Sequence, residues 1–245
     1  MTGAARPADL VAQGPRPPRR PLLVAVGTLA VLLTGVVGLL VARSHPALDE
    51  RWMTAAIGLR GQPWDSLAFA LDLLGGSVVG VFVVPLAVTA ALVRWRGRWP
   101  AAFFLVASAA SALVVQVLKV VFDRARPEDM LVISDKGSFP SGHTANAATM
   151  AIALGVILPR VWVWIAGALY AVLMALSRTY LGAHWLTDTV GGLLVGAGVA
   201  VLCWAAFSLR LVTPSLPPPG GPEADGAPAG EKSAEVGDDP RLPRE

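Results

Sequence analysis

The chain has 245 residues, of which 54% are hydrophobic and 15% charged. A soluble domain carries about 25% charged residues, so a water-facing surface of this size is excluded and the bilayer is the expected solvent. The net charge is +3, and no basic patch is interleaved with aromatic residues, which argues against a nucleic-acid partner. The single cysteine, Cys203, allows no internal disulfide and reads as a small apolar residue of a membrane helix.

Residues 1–20 are polar and rich in proline and arginine, and read as a disordered tail. An uncharged run from Pro21 to Ala42 is long enough to cross about 30 Å of hydrocarbon. It is too long for the apolar core of a signal peptide, and more apolar spans follow. His45-Pro46 ends it, with His45 an interfacial polar residue. In 43–72, Asp49, Glu50, Arg51 and Arg60 alternate with Leu48, Trp52, Met53, Ile57 and Leu59, the pattern of an amphipathic segment lying in the interface. Asp72 stands at the mouth of the second span, where it either lines the site entrance or, the favoured reading, caps or ends the apolar span. Further spans are expected at Leu73–Val93, Trp99–Leu118, His143–Leu158, Val161–Leu176 and Thr189–Leu209. From Thr213 the chain is Pro/Gly-rich and acidic, too poor in apolar residues to bury a core.

The expected fold is therefore an all-α, six-helix transmembrane bundle over 21–210, with an interfacial segment between the first two spans and disordered tails at 1–20 and 211–245. Both tails then share a side. Arginines of the N-terminal tail, the Arg94–Arg98 turn, Arg160 and Arg210 fall on that side and mark it as cytoplasmic, so the expected location is a bacterial plasma membrane. The segments 43–72, 120–142 and 177–188 face outward.

Ionisable groups at membrane depth or at helix mouths are costly and point to function. Here they fall in three clusters: Lys119 to Arg126-Pro127, then Pro140-Ser141-Gly142-His143, then Ser177-Arg178 to His184 and Asp188. The topology puts all three at outer helix ends, where they can meet. Phosphoryl transfer needs positioning, with cations and donors around the equatorial oxygens. Lys119, Arg126 and Arg178 supply charge, the arginines in bidentate form. Ser141-Gly142 opens a helix whose N-terminal N–H groups favour an anion. His184 and Asp188 are four apart and share a helical face, so the carboxylate can fix the imidazole tautomer and leave His184 free to attack phosphorus. Asp123, Glu128 and Asp129 sit beside Arg124 and Arg126, which suits ion pairing or solvation better than a metal site.

The three-part pattern Lys-x6-Arg-Pro, Pro-Ser-Gly-His and Ser-Arg-x5-His-x3-Asp resembles the signature of the type 2 phosphatidic acid phosphatases, the lipid phosphate phosphatases that share their site with vanadium haloperoxidases. All three parts are complete and in order, and the resemblance covers roughly 45–205. It implies a six-helix membrane phosphatase without metal or other cofactor. The residue matching His184 is then the nucleophile, that matching Asp188 its support, and that matching His143 the acid for the leaving group. Lys119, Arg126, Ser141, Gly142 and Arg178 match phosphate-binding positions; Arg124 lies outside the strict motif, a candidate only for a secondary phosphate contact. A helix N-terminus disfavours a protonated histidine, so His143 needs a compensating anion, and bound phosphate is the expected one.

The implied substrate is a lipid phosphate or lipid pyrophosphate in the bilayer. Undecaprenyl pyrophosphate is favoured by an outward-facing site, with phosphatidic acid and phosphatidylglycerophosphate as further candidates. The competing classes are an anion or lipid transporter and a phosphoryl transferase using the same basic site. The spans lack the paired, broken helices of many transporters.

Overall fold

The computed structural model describes residues 19–212, apart from His45, Ser77, Asp135 and Lys136. The reading of His45 and most of both expected tails lie outside the described residues. Among those residues every regular element is helical: α1 (Arg20–Val41), α2 (Ala47–Gly58), α3 (Trp64–Gly75), α4 (Val84–Arg96), α5 (Arg98–Phe122), α6 (Gly142–Ile157), α7 (Val161–Tyr180) and α8 (Leu186–Val212). A π-helical turn, Val79–Val83, precedes α4.

Five stretches are long and apolar enough to cross a membrane: α1, the π turn with α4, α5, α7 and α8. Their outer faces require an apolar surrounding. On α1, Leu32 is 61% exposed, Leu39 76% and Leu40 71%, a surface that water would not tolerate and lipid tails solvate. This is a membrane protein. The second expected span, Leu73–Val93, is divided instead. Helix α3 stops at Gly75-Gly76, and the crossing stretch begins only at Val79. The fourth, α6, has 16 residues, fewer than the roughly 20 of a typical span. The segment expected to lie in the interface forms α2 and α3, two helices of 12 residues each.

Helices α6 and α8 form the centre. Ala145, Ala147, Ala153, Val195 and Ala200 are almost completely buried. Such close packing depends on small residues, because lipid tails offer no hydrophobic drive between helices and contact itself must hold them. At Gly196 a Cβ would run into the backbone of Ala145. Thr149 fixes the same contact by donating to the Gly196 carbonyl at 3.1 Å. Helix α1 lies along α8, and Arg20 Nε donates to the Ala205 carbonyl at 3.1 Å. Arg98 and Arg210 both stack on Trp99, at 5.4 and 4.7 Å from the ring centroid. These arginines gather at the bundle end opposite the C-termini of α5 and α7 and the N-termini of α6 and α8.

Candidate active site

Helices α5, α7 and α8 run past the ends expected from hydropathy, and the extra turns carry Lys119, Arg178 and Asp188. A hydropathy window stops at the first charge, whereas the chain continues as helix because those charges find partners. Asp123 closes α5 in the left-handed region, at φ 37°. The loop that follows is tied down on several sides. Ser138 donates its N–H to the Arg124 carbonyl at 2.9 Å and its hydroxyl to the Ala125 carbonyl at 3.1 Å. Trp185 Nε1 donates to the same Ala125 carbonyl at 2.9 Å. Phe139 is fully buried, edge-on to Phe122 with centroids 5.4 Å apart. The Ser141 N–H donates to the Asp188 carbonyl at 3.0 Å, joining the starts of α6 and α8.

These connections bring the three sequence clusters around one cavity of about 350 Å³. Lys119, Arg126, Gly142, His143, Arg178 and His184 all line it. His184 is 2% exposed. Its Nε2 lies 3.3 Å from Arg126 Nη1, and its Nδ1 is turned to Asp188 Oδ2 at 3.6 Å. Asp188 is fully buried behind the ring, and Trp185 N–H donates to its Oδ2 at 2.8 Å. Arg126 is fixed by donation to the Ala183 carbonyl at 2.5 Å and the Gly137 carbonyl at 3.0 Å. Burial, followed by the charges of Arg126, Arg178 and Lys119, pushes the His184 pKa well below the usual histidine value. Its imidazole is therefore neutral at pH 7, with a lone pair to offer. Ser141 is buried beneath Gly142 instead of on the cavity wall, and its Oγ accepts from Thr144 at 3.0 Å.

Arg124 departs from the sequence reading. It neither lines the cavity nor pairs with its acidic neighbours in the loop. Its guanidinium is completely buried and bridges two carboxylates, Asp188 Oδ1 at 2.6 Å and Asp49 Oδ2 at 2.8 Å. Thr187 completes the cluster. Its N–H and hydroxyl donate to Asp49 at 2.9 and 2.6 Å, and Arg124 donates to its hydroxyl at 2.8 Å. Two buried carboxylates already meet the charge of Arg124 without substrate, so it is not aimed at phosphate. Asp49 belongs to α2 and reads in sequence as an ordinary polar-face residue. Only its burial, which periodicity does not encode, reveals it.

Asp72 also does more than end a helix. Its carboxylate reaches into the cavity, where Oδ1 lies 3.0 Å from His143 Nε2 and accepts from Arg178 Nη1. The Asp72 carbonyl oxygen is 3.2 Å from the same His143 nitrogen. An anion thus faces His143 before any phosphate arrives. This approach requires glycine at position 76, where a Cβ would overlap the His143 ring. A lone acid beside an apolar run at a helix mouth is the sequence signal that could have singled out Asp72.

A helical membrane protein with a cation-lined pocket around a neutral, carboxylate-backed imidazole has the form of a phosphoryl-handling enzyme. The sequence model of the PAP2 superfamily matches residues 100–211. Phosphatidylglycerophosphatase B of Bacillus subtilis is 32% identical over 161 residues, covering 60% of this chain and 77% of its own. An undecaprenyl-diphosphatase of Sulfolobus acidocaldarius is 34% identical over 123 residues, 47% of this chain and 59% of that protein. Among solved structures, the transmembrane PAP2-type phosphatidylglycerolphosphate phosphatase of Bacillus subtilis superimposes with a TM-score of 0.64 at 28% identity, over 72% of this chain and 93% of the other. LpxE of Aquifex aeolicus gives 0.55 at 25% identity, over 67% and 96%. The chain belongs to the PAP2 superfamily and is a phosphatase.

Proposed function

We propose that the chain hydrolyses a lipid phosphate or lipid diphosphate through a phosphohistidine on His184. The observation that carries this is the meeting of three distant segments at one cavity, with His184 Nε2 beside Arg126 and Nδ1 toward Asp188. Asp188 favours the tautomer that has its proton on Nδ1, which leaves the Nε2 lone pair toward the cavity. Lys119, Arg126, Arg178 and the N-terminal N–H groups of α6 hold the phosphate oxygens. Nε2 attacks phosphorus, the bond to the lipid oxygen breaks, and that oxygen takes a proton from His143. Water then attacks the phosphohistidine, giving its proton to His143. Inorganic phosphate leaves and His184 is regenerated.

Relatives named for phosphatidylglycerophosphate, undecaprenyl diphosphate and lipid A 1-phosphate support a substrate with its tail in the bilayer. The fold supports a sixth crossing by α6, about 24 Å long at 1.5 Å per residue and enclosed by α5, α7 and α8, with α2 and α3 at the outer interface. The arginines at the opposite end then face the cytoplasm, and the site opens outward. The test is phosphate release from a panel of lipid phosphates by purified protein in detergent, with acid-quench trapping of the phosphoenzyme. His184→Ala is expected to abolish both signals. A fully active His184→Ala variant would sink the nucleophile assignment.

A further inference from the structure

One charged group on the cavity wall neither holds phosphate nor transfers a proton in that reaction. Among the described lining residues, Lys119, Arg126 and Arg178 are the cations and Asp72 is the carboxylate. It comes from α3, outside the matched stretch 100–211. Its side chain is 27% exposed, so it faces the cavity instead of being sealed inside the protein as Asp49 is. It lies 3.0 Å from Nε2 of His143, the residue assigned to protonate the leaving oxygen. Asp72 is therefore a neighbour of the leaving group and not of the attacking imidazole.

From this position we infer that Asp72 selects phosphomonoesters over diphosphates. The inference rests on the phosphatase reading and departs from the diphosphate that topology favours. In a monoester the leaving group is an alkoxide that becomes a neutral alcohol, and only the transferred phosphoryl brings negative charge. Three cations and one carboxylate leave a surplus of two positive charges, which suits a phosphate dianion. In a diphosphate the leaving group is itself a phosphate. Its charge would fall beside His143 and so against Asp72, where like charges a few ångströms apart in a partly buried site repel strongly. The other polar residues on the wall, including Ser108, Ser111, Gln116 and Asn146, bring no positive charge to offset that repulsion. Asp72 also compensates a protonated His143, which matters most for an alcohol, the poorer leaving group.

The experiment compares farnesyl phosphate with farnesyl diphosphate, which share a tail, on the full chain and on Asp72→Asn. Wild-type kcat/KM is expected to favour the monophosphate, and the substitution to raise the diphosphate-to-monophosphate ratio tenfold or more. Loss of general acid catalysis alone could also raise that ratio. Binding of methylphosphonate and methylenediphosphonate, followed by titration calorimetry, therefore reads selection without proton transfer. The same tenfold shift toward the diphosphonate is expected. Equal loss on both lipids, or an unchanged ratio of phosphonate affinities, would overturn the selection. So would a wild type that prefers farnesyl diphosphate, and the two phosphonates make the same test on wild type if Asp72→Asn does not fold. No phosphate release by wild type from either lipid counts instead against the phosphatase reading.

Discussion

Replacing Arg124 separates two roles that the sequence cannot distinguish. Arg124→Leu removes a buried cation and leaves Asp49 and Asp188 facing each other without it. Breaking a buried ion pair from one side costs about 3–5 kcal/mol of stability. Catalysis should suffer by another route. The 2.6 Å bond from Arg124 is one of the contacts that hold Asp188 behind His184. A charged hydrogen bond of this kind is worth about 1.5–3 kcal/mol. If that loss is felt at the imidazole, kcat falls by roughly 10- to 150-fold, at 1.36 kcal/mol per decade. Because Arg124 does not line the cavity, inhibition by inorganic phosphate should change less than about threefold, a few tenths of a kcal/mol. Steady-state kinetics on a lipid phosphate, with Ki for phosphate measured on folded protein, gives both numbers. A Ki that rises in step with the fall in kcat would restore Arg124 as a phosphate contact and refute the positioning role.

Other outcomes follow from the same geometry. His184 lies between α7 and α8 with its pKa held well below about 6.5, the usual value, first by burial and then by Arg126, Arg178 and Lys119. Its ring resonances should therefore show no titration near pH 6.5 in phosphate-free protein, and a midpoint there would refute the buried, cation-flanked site. The unfolded chain takes up this proton near pH 6.5 while the folded one does not, so the stability His184 contributes is present above that pH and lost as pH falls below it. His143→Ala should slow turnover of alkyl phosphates at least tenfold more than turnover of an activated aryl phosphate, whose leaving group needs no acid. Comparable losses on both would remove its acid role. Gly76→Ala must push the His143 ring aside, so kcat should fall on alkyl phosphates while phosphoenzyme still forms on the aryl substrate. Unchanged alkyl turnover would mean that α3 yields at no cost.

The sequence is most legible where one physical signal dominates. Apolar runs disclosed α1, α5, α7 and α8 to within a few residues, because lipid solvation demands such runs. The same signal failed at helix ends, since it ends at Lys119, Arg178 and Asp188 although each is helical. It also failed at α3, where an uncharged stretch conceals a break at Gly75-Gly76, positions at which Met174 and His143 leave no room for a side chain. The cavity-lining residues were legible because their spacing is local to each segment. Asp49, the pairing of Asp72 with Arg178 and the inward turn of Arg124 were not, because each depends on a partner roughly 60 to 110 positions away. Ser141 lies where its place beside Gly142 suggests, buried at the start of α6. Its hydroxyl accepts from Thr144 and keeps its own proton to donate.

Those distant partners divide the site between the two halves of the chain. The cations, the imidazoles and Asp188 come from residues 119–188, within the stretch that matches the superfamily. The carboxylates that flank them, Asp49 on Arg124 and Asp72 on His143, come from α2 and α3. Cations clustered at a membrane face repel one another, and a buried arginine without an anion is more costly still. Asp49 meets that cost where no substrate reaches, so its bonds can persist through turnover. Asp72 meets it at the cavity wall, where an arriving phosphate competes for Arg178. One carboxylate is therefore placed to stabilise the resting site, and the other to tune what the site accepts.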